Sequence, residues 1–166
     1  MIILGIDPGY ATIGYGVVAY ENPRFTTLDY GVLTTPAHLT PQYRLKLLWE
    51  GLNTLIDTYG PSEMAVEELF FNTNHTTAIQ VAEARGVILL CGEMKGLKIA
   101  EYTPLQVKQS VVGYGRAEKE QVIAMVMNML NIRRKITPDD AADALAIAIC
   151  HAHTGTSKIS GYYNLK

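Results

Sequence analysis

The first third of the chain alternates short apolar runs with turn residues. Runs at 2–7, 13–20 and 25–34 are separated by Pro8-Gly9 and by Glu21-Asn22-Pro23, which predicts an antiparallel meander of three strands. From Thr40 the period changes. Leu45, Leu48, Trp49, Leu52, Leu55, Ile56 and Tyr59 recur at helical spacing, with Pro41 suited to the first helical position and Gly60-Pro61 ending the run. A short strand is expected at 63–69, then a helix from about 74 to 95 that carries Ala78, Ala82 and Gly86 at four-residue spacing. Such a stripe allows close helix contact, either with the chain's own sheet or across a two-fold interface.

A fifth strand at 98–103 leads into Thr103-Pro104-Leu105-Gln106, the pattern of a helix N-cap with Pro at N1 and Gln at N3, and that helix ends near Gly113. Gly113-Tyr114-Gly115-Arg116 is a basic connector, and residues 117–131 return to helical period through Val122, Ile123, Val126, Met129 and Leu130. Thr137-Pro138-Asp139-Asp140 repeats the capping pattern and opens an Ala-rich helix through His153; the remainder is polar. The order of elements predicts an α/β domain over 1–153, with a polar tail at 154–166. Its sheet is five-stranded and mixed, the meander plus two parallel strands, and is flanked by helices.

With 166 residues, one domain can bury roughly 70% of the surface its unfolded chain exposes, so no disulfide is needed. No apolar stretch reaches the roughly 20 residues a membrane-spanning helix requires, and Met1 runs into a strand without a basic leader or small-residue cleavage site. A cytoplasmic protein is expected. Cys91 and Cys150 lie in apolar helical segments without ligand spacing and read as buried thiols. The net charge of −2 is unusual for a protein that grips phosphates, but nine of the fourteen Lys and Arg residues fall between Arg85 and Lys135. A nucleic-acid partner is permitted by this distribution.

Four carboxylates, from distant parts of the chain, are candidates for one site. Asp7 ends an apolar strand, and Glu67 ends the strand Met64-Ala65-Val66, which lies parallel to the first strand if it packs beside it. Asp140 and Asp143 are three residues apart at the start of the last helix and share one face. Asp7 alone could be a turn residue and Asp140 a capping acid paired with Thr137. Asp143, set among small residues in Ala141-Ala142-Asp143-Ala144, is harder to explain without a partner of opposite charge. Clustered oxygen ligands without His or Cys select Mg²⁺ or Mn²⁺. Two such ions would clamp a phosphodiester, one activating water and the other stabilising the leaving 3′ oxygen.

Five motifs stand in order. They are Ile-Leu-Gly-Ile-Asp-Pro-Gly at 3–9, Val-Glu-Glu-Leu-Phe at 66–70, Ala-Glu-Ala-Arg-Gly-Val at 82–87, Gln-Val-Lys-Gln-Ser-Val-Val-Gly at 106–113 and Asp-Ala-Ala-Asp-Ala-Leu-Ala at 140–146. Together they closely resemble the RuvC family of Holliday junction resolvases. The resemblance implies a ribonuclease H-like fold, a homodimer, and paired symmetric nicks in four-way DNA junctions during recombination and repair. It also implies Mg²⁺, two ions per subunit with Mn²⁺ able to substitute, and partnership with a branch-migration motor of RuvA and RuvB. The family's catalytic carboxylates map onto Asp7, Glu67, Asp140 and Asp143, and its basic residues near the scissile phosphate onto Lys108 and Lys119. Arg116 joins these on charge and position. Phe70 matches an aromatic that stacks on junction bases, a contact worth about 1 to 3 kcal/mol. His151 and His153 are expected to favour the negative end of the last helix. The rival readings are an actin-like nucleotide-binding lobe, a catalytically silent junction-binding module, and a nuclease for another structured nucleic acid.

Overall fold

The structure, a computed structural model, describes residues 1–68 and 75–156. In chain order the elements are β1 (Ile2–Asp7), β2 (Thr12–Glu21), β3 (Arg24–Thr34), α1 (Pro41–Tyr59), β4 (Glu63–Glu67), α2 (His75–Met94), β5 (Lys98–Tyr102), α3 (Pro104–Val112), α4 (Lys119–Met129) and α5 (Asp139–Thr156). The sheet order is β3-β2-β1-β4-β5. The meander strands pair antiparallel, and β4 and β5 run parallel to β1. This is the mixed sheet expected from the alternation of periods, because a strand that returns through a crossover helix beside β1 enters in β1's direction.

The two-residue period of the strands sorts their side chains into two cores. Leu4, Ile6, Met64 and Val66 pack with Leu48, Leu52 and Ile56 of α1 and with Ala84, Ile88 and Cys91 of α2. Ile3 and Ala65 point the other way, onto α5. By the same alternation the last residues of β1 and β4, Asp7 and Glu67, fall on the α5 face. The site's position is thus a consequence of strand register.

Helix α5 is buried along nearly its whole length, and glycines let it lie that close. A Cβ on Gly5 would sit 2.1 Å from the Ala144 carbonyl oxygen, and one on Gly14 would sit 2.1 Å from that of Asp140. Gly14 is the cross-strand partner of Asp7. Backbone therefore meets backbone beside the strand end that carries the first carboxylate.

Helix ends follow their caps. Thr40 Oγ1 accepts from the Tyr43 amide at 3.4 Å, and Gly60, at φ 58°, closes α1 in the left-handed conformation. Thr103 and Gln106 form the expected reciprocal box on α3, where loss of such a cap costs about 1 kcal/mol. Four ends differ from expectation, among them that of α4, which closes at Met129 rather than 131. Helix α4 begins at Lys119, because Gln121 Oε1 accepts from the Glu118 amide and makes that residue the cap. Helix α5 begins at Asp139, since the Pro138 carbonyl accepts from Ala141 as a cap residue's would. Its C-terminal end lies at Thr156, three residues past the expected boundary, with Thr154 Oγ1 bonded to the Cys150 carbonyl. Within α1, Trp49 is 40% exposed while Arg44 is buried, so the apolar face is rotated from the one expected. Arg44 stacks 3.8 Å over the Tyr10 ring and donates to Thr35 Oγ1 and the Tyr10 carbonyl, anchoring the loop after Asp7. Cys91 and Cys150 are buried free thiols, as expected.

Candidate active site

The strand ends and the first turns of α5 enclose a cleft of about 260 Å³ lined by Asp7, Glu67, Asp143, Lys108 and Lys119. Asp7 arrives from β1 and Glu67 from β4, whose strands are adjacent in the sheet. Asp143 descends from α5, and Lys108 and Lys119 come from α3 and from the first position of α4. Side chains distant in sequence are thus brought together by the sheet register and by the close seating of α5.

The electrostatics of this cleft are those of crowded negative charge. Burial pushes the Asp7 carboxyl from its usual 3.8 up to about 8, helped by repulsion from Glu67, Asp143 and Asp140 and opposed by Lys119. Burial also lifts Glu67 to about 7, with Asp143 adding to it. Asp143 is raised by burial, and a bond from Lys119 Nζ to its Oδ2 at 3.0 Å works against that rise. Lys119 also lies 3.6 Å from Asp139 Oδ2. For the ammonium, burial acts downward, but its bonds and charge pairing with Asp143 and Asp139 win and raise its pKa.

Among the described residues, no three Asp, Glu, His or Cys side chains converge closely enough to hold an ion as they stand. Unpaired carboxylates held near one another repel and raise one another's pKa, and a bound divalent cation reverses that preference. The donor set fits a hard divalent cation. It consists of oxygens alone, fixed on strand ends and a buried helix, and ionised carboxylates here carry a penalty that a cation relieves.

The residues expected from the sequence divide into three groups. Asp7, Glu67, Asp143, Lys108 and Lys119 line one cleft. Asp140, in the first turn of α5, stands near enough to raise the Asp7 pKa. Arg116 is exposed in the connector before α4, and Phe70 lies outside the described residues. Sequence reasoning missed Asp139 as a contact of Lys119, and it missed Gly5 and Gly14 as seats for α5. Glycines inside two otherwise apolar strands were the available signal. His151 was misplaced. It does not serve the helix terminus but is buried, with Nδ1 2.7 Å from the Tyr102 hydroxyl and Nε2 2.6 Å from Glu63 Oε2. His153 meets Ser110 Oγ at 3.1 Å and the edge of Phe25.

A five-stranded sheet in this order, with strand-end carboxylates under a buried helix, is a ribonuclease H-like architecture. The family model described as Crossover junction endodeoxyribonuclease RuvC matches residues 3–151, and the chain belongs to the RuvC family. Relatives of that name include one from Clostridioides difficile (strain 630), 55% identical over 93% of this chain and 91% of its own length. Another, from Alkaliphilus oremlandii (strain OhILAs), is 56% identical over 93% of this chain and 94% of its own. Among solved structures, Thermus thermophilus RuvC superposes with a TM-score of 0.87 at 34% identity, covering 93% of this chain and 95% of that one. The T. thermophilus protein in complex with Holliday junction substrate gives 0.85 at 32% identity, with the same coverage of both chains.

Proposed function

We propose that this chain is a Holliday junction resolvase, an endodeoxyribonuclease that hydrolyses phosphodiesters in four-way DNA during recombination and repair. The observation that carries this reading is the cleft in which Asp7, Glu67 and Asp143 meet Lys108 and Lys119. In this reading Asp7, Glu67, Asp140 and Asp143 are the catalytic carboxylates and hold Mg²⁺, two ions per subunit, with Mn²⁺ able to substitute. Bound there, divalent ions supply Lewis-acid activation of water and neutralise charge on the leaving oxygen.

The chain's own residues do the rest. Strand ends and a buried helix hold the carboxylates against rigid elements, so little reorganisation remains when substrate arrives. Lys119, already bonded to Asp143, can turn from that carboxylate toward a phosphate, and Lys108 faces the same cleft. Arg116 extends the basic edge along the connector, and Phe70 is assigned to base stacking. Together they position the backbone without reading sequence.

The protein is further proposed to act as a homodimer through α2. Ala84, Ile88 and Cys91 of that helix serve its own sheet. Ile79, Leu90 and Met94, by contrast, are 72%, 56% and 67% exposed, and among the described residues nothing lies within 4 Å of a Cβ placed on Gly86. This exposure supports the two-fold reading of the small-residue stripe over packing on the chain's own sheet, because an apolar face of this kind marks an interface. No helix among the described residues is long and apolar enough to cross a membrane; the proposed setting is the cytoplasm, beside a RuvA and RuvB branch-migration motor. Cleavage of a synthetic mobile four-way junction, a linear duplex and an RNA/DNA hybrid, with Mg²⁺ and with chelator, tests this reading. Metal-dependent cutting confined to the junction is expected, and equal cutting of all three would overturn it.

A further inference from the structure

The far end of α5 holds a polar chain that the proposed chemistry does not use. His151 is 6% exposed and Tyr102 is 7% exposed. Between them the Tyr102 hydroxyl and His151 Nδ1 lie 2.7 Å apart, and His151 Nε2 lies 2.6 Å from Glu63 Oε2. One proton arrangement satisfies all three groups: the phenol donates to Nδ1 and the Nε2–H donates to the carboxylate. Burial lifts the Tyr102 phenol to about 12, so it keeps the proton it donates.

The chain spans three elements. Glu63 opens β4, the strand that ends in Glu67. Tyr102 ends β5 and is the ladder partner of Glu67, and its carbonyl accepts from the Glu68 amide at 2.9 Å. His151 is eight residues beyond Asp143 on α5, about two helical turns. Apolar packing does not do the same work on this side. Helix α5 lies mainly over β1 and β2, whereas the α5-facing residues of β4 and β5 include only small Ala65 and Ala100 between the ends. A cavity of about 660 Å³ opens beside them, lined by Ala100, Tyr102, Ser110, Cys150, His151 and Thr154.

We propose that Tyr102, His151 and Glu63 form a positioning brace that fixes α5 against β4 and β5 and so sets the gap between Glu67 and Asp143. The inference rests on the reading of that gap as a divalent-cation site. Side chains that orient metal ligands from outside the ligand set typically change metal affinity 10- to 100-fold. A brace acting through backbone placement belongs near the bottom of that range.

The test is Mn²⁺ binding to the full chain without DNA, followed by titration calorimetry and by the paramagnetic resonance of free Mn²⁺. Tyr102→Phe removes one hydroxyl without changing the ring, and Glu63→Ala removes the other end of the brace. Both are expected to weaken Mn²⁺ binding about tenfold. Glu63→Gln keeps an oxygen that can accept from His151 and is expected to restore the parent's affinity. Tyr20→Phe is the control. Its hydroxyl, from an equally buried residue of the same core, bonds Asn22 at 3.0 Å, away from the brace, and its loss is expected to leave Mn²⁺ affinity unchanged. Parent-like binding by both Tyr102→Phe and Glu63→Ala overturns the brace alone, as does equal weakening by Tyr20→Phe. If Tyr102→Phe fails to fold, Glu63→Ala against Glu63→Gln decides in the same way. A parent that binds no Mn²⁺ overturns the metal-site reading and the brace together.

Discussion

Asp7→Asn is expected to stabilise the metal-free protein while destroying its activity. Burial, then repulsion from Glu67, Asp143 and Asp140, moves the Asp7 carboxyl from 3.8 to about 8. Each pKa unit corresponds to about 1.4 kcal/mol, so a shift of about four units costs the fold roughly 5 to 6 kcal/mol once the group is ionised in both states. Side-chain rotation and water in the open cleft bring this to roughly 2 to 3 kcal/mol. The sign follows from the direction of the shift. A carboxyl raised in the folded state stabilises most below its unfolded pKa, and that contribution is lost as pH climbs from about 4 to about 8. Asparagine does not titrate, so in chelator the variant gains on the parent with rising pH. At this chain length 1 kcal/mol moves Tm by about 2 to 4 °C, which gives an advantage of about 5 °C or more at pH 8 and almost none at pH 4. Calorimetric melts at those two pH values, with and without Mg²⁺, measure it. An advantage equal at both pH values, or a variant that melts below the parent at pH 8 in chelator, would refute the electrostatic reasoning. Added Mg²⁺ is expected to reverse the order, because it binds the folded parent and not the variant.

Three further outcomes follow from the geometry. Gly14→Ala puts a Cβ 2.1 Å from the Asp140 carbonyl oxygen. The clash is expected to cost about 1 to 3 kcal/mol in denaturant unfolding and to weaken Mn²⁺ binding by lifting α5, whereas Gly86→Ala, with open space around it, tests whether a glycine is needed at the proposed interface instead. Leu90→Glu, on the exposed face of α2, is expected to give a folded monomer in analytical ultracentrifugation, with the parent's circular dichroism spectrum; a dimer that survives it would place the interface elsewhere. Junction affinity should fall with salt at a logarithmic slope no steeper than about −5, the value for three phosphate contacts in each of two protomers. A much steeper slope would mean that broad electrostatic attraction dominates despite the net charge of −2.

The fold was legible where local physics decides it. The change from a two-residue to a helical period after Thr40 and the Thr-Pro pairs at Thr40 and Thr103 located α1 and α3, because those caps are satisfied locally. Asp7 was legible as the end of β1, whereas β4 closes at Glu67, two residues short of the strand expected at 63–69; the alternation within the two strands placed both carboxylates on one face. What the pattern hid depends on tertiary contact. Arg44 is buried by the loop carrying Tyr10, and His151 by Glu63 and Tyr102, partners 34, 88 and 49 residues away. The cap at Thr137 misled because Pro138, rather than the threonine, closes the first turn of α5. Asp140 and Asp143 were readable as a helical pair, but their approach to Asp7 depends on Gly5 and Gly14, whose importance appears only when a helix is laid on the sheet.

Four carboxylates are proposed to act as one metal-dependent site on a four-way junction. This is tested most directly by single-turnover cleavage of one labelled junction by the parent and by Asp7→Asn, Glu67→Gln, Asp140→Asn and Asp143→Asn, with junction affinity measured in chelator on the same preparations. Every substitution is expected to abolish cutting in Mg²⁺ while binding stays close to the parent's. Cutting retained by any of the four would remove that residue from the site, and cutting retained by Asp7→Asn together with Asp143→Asn would contradict the claim itself.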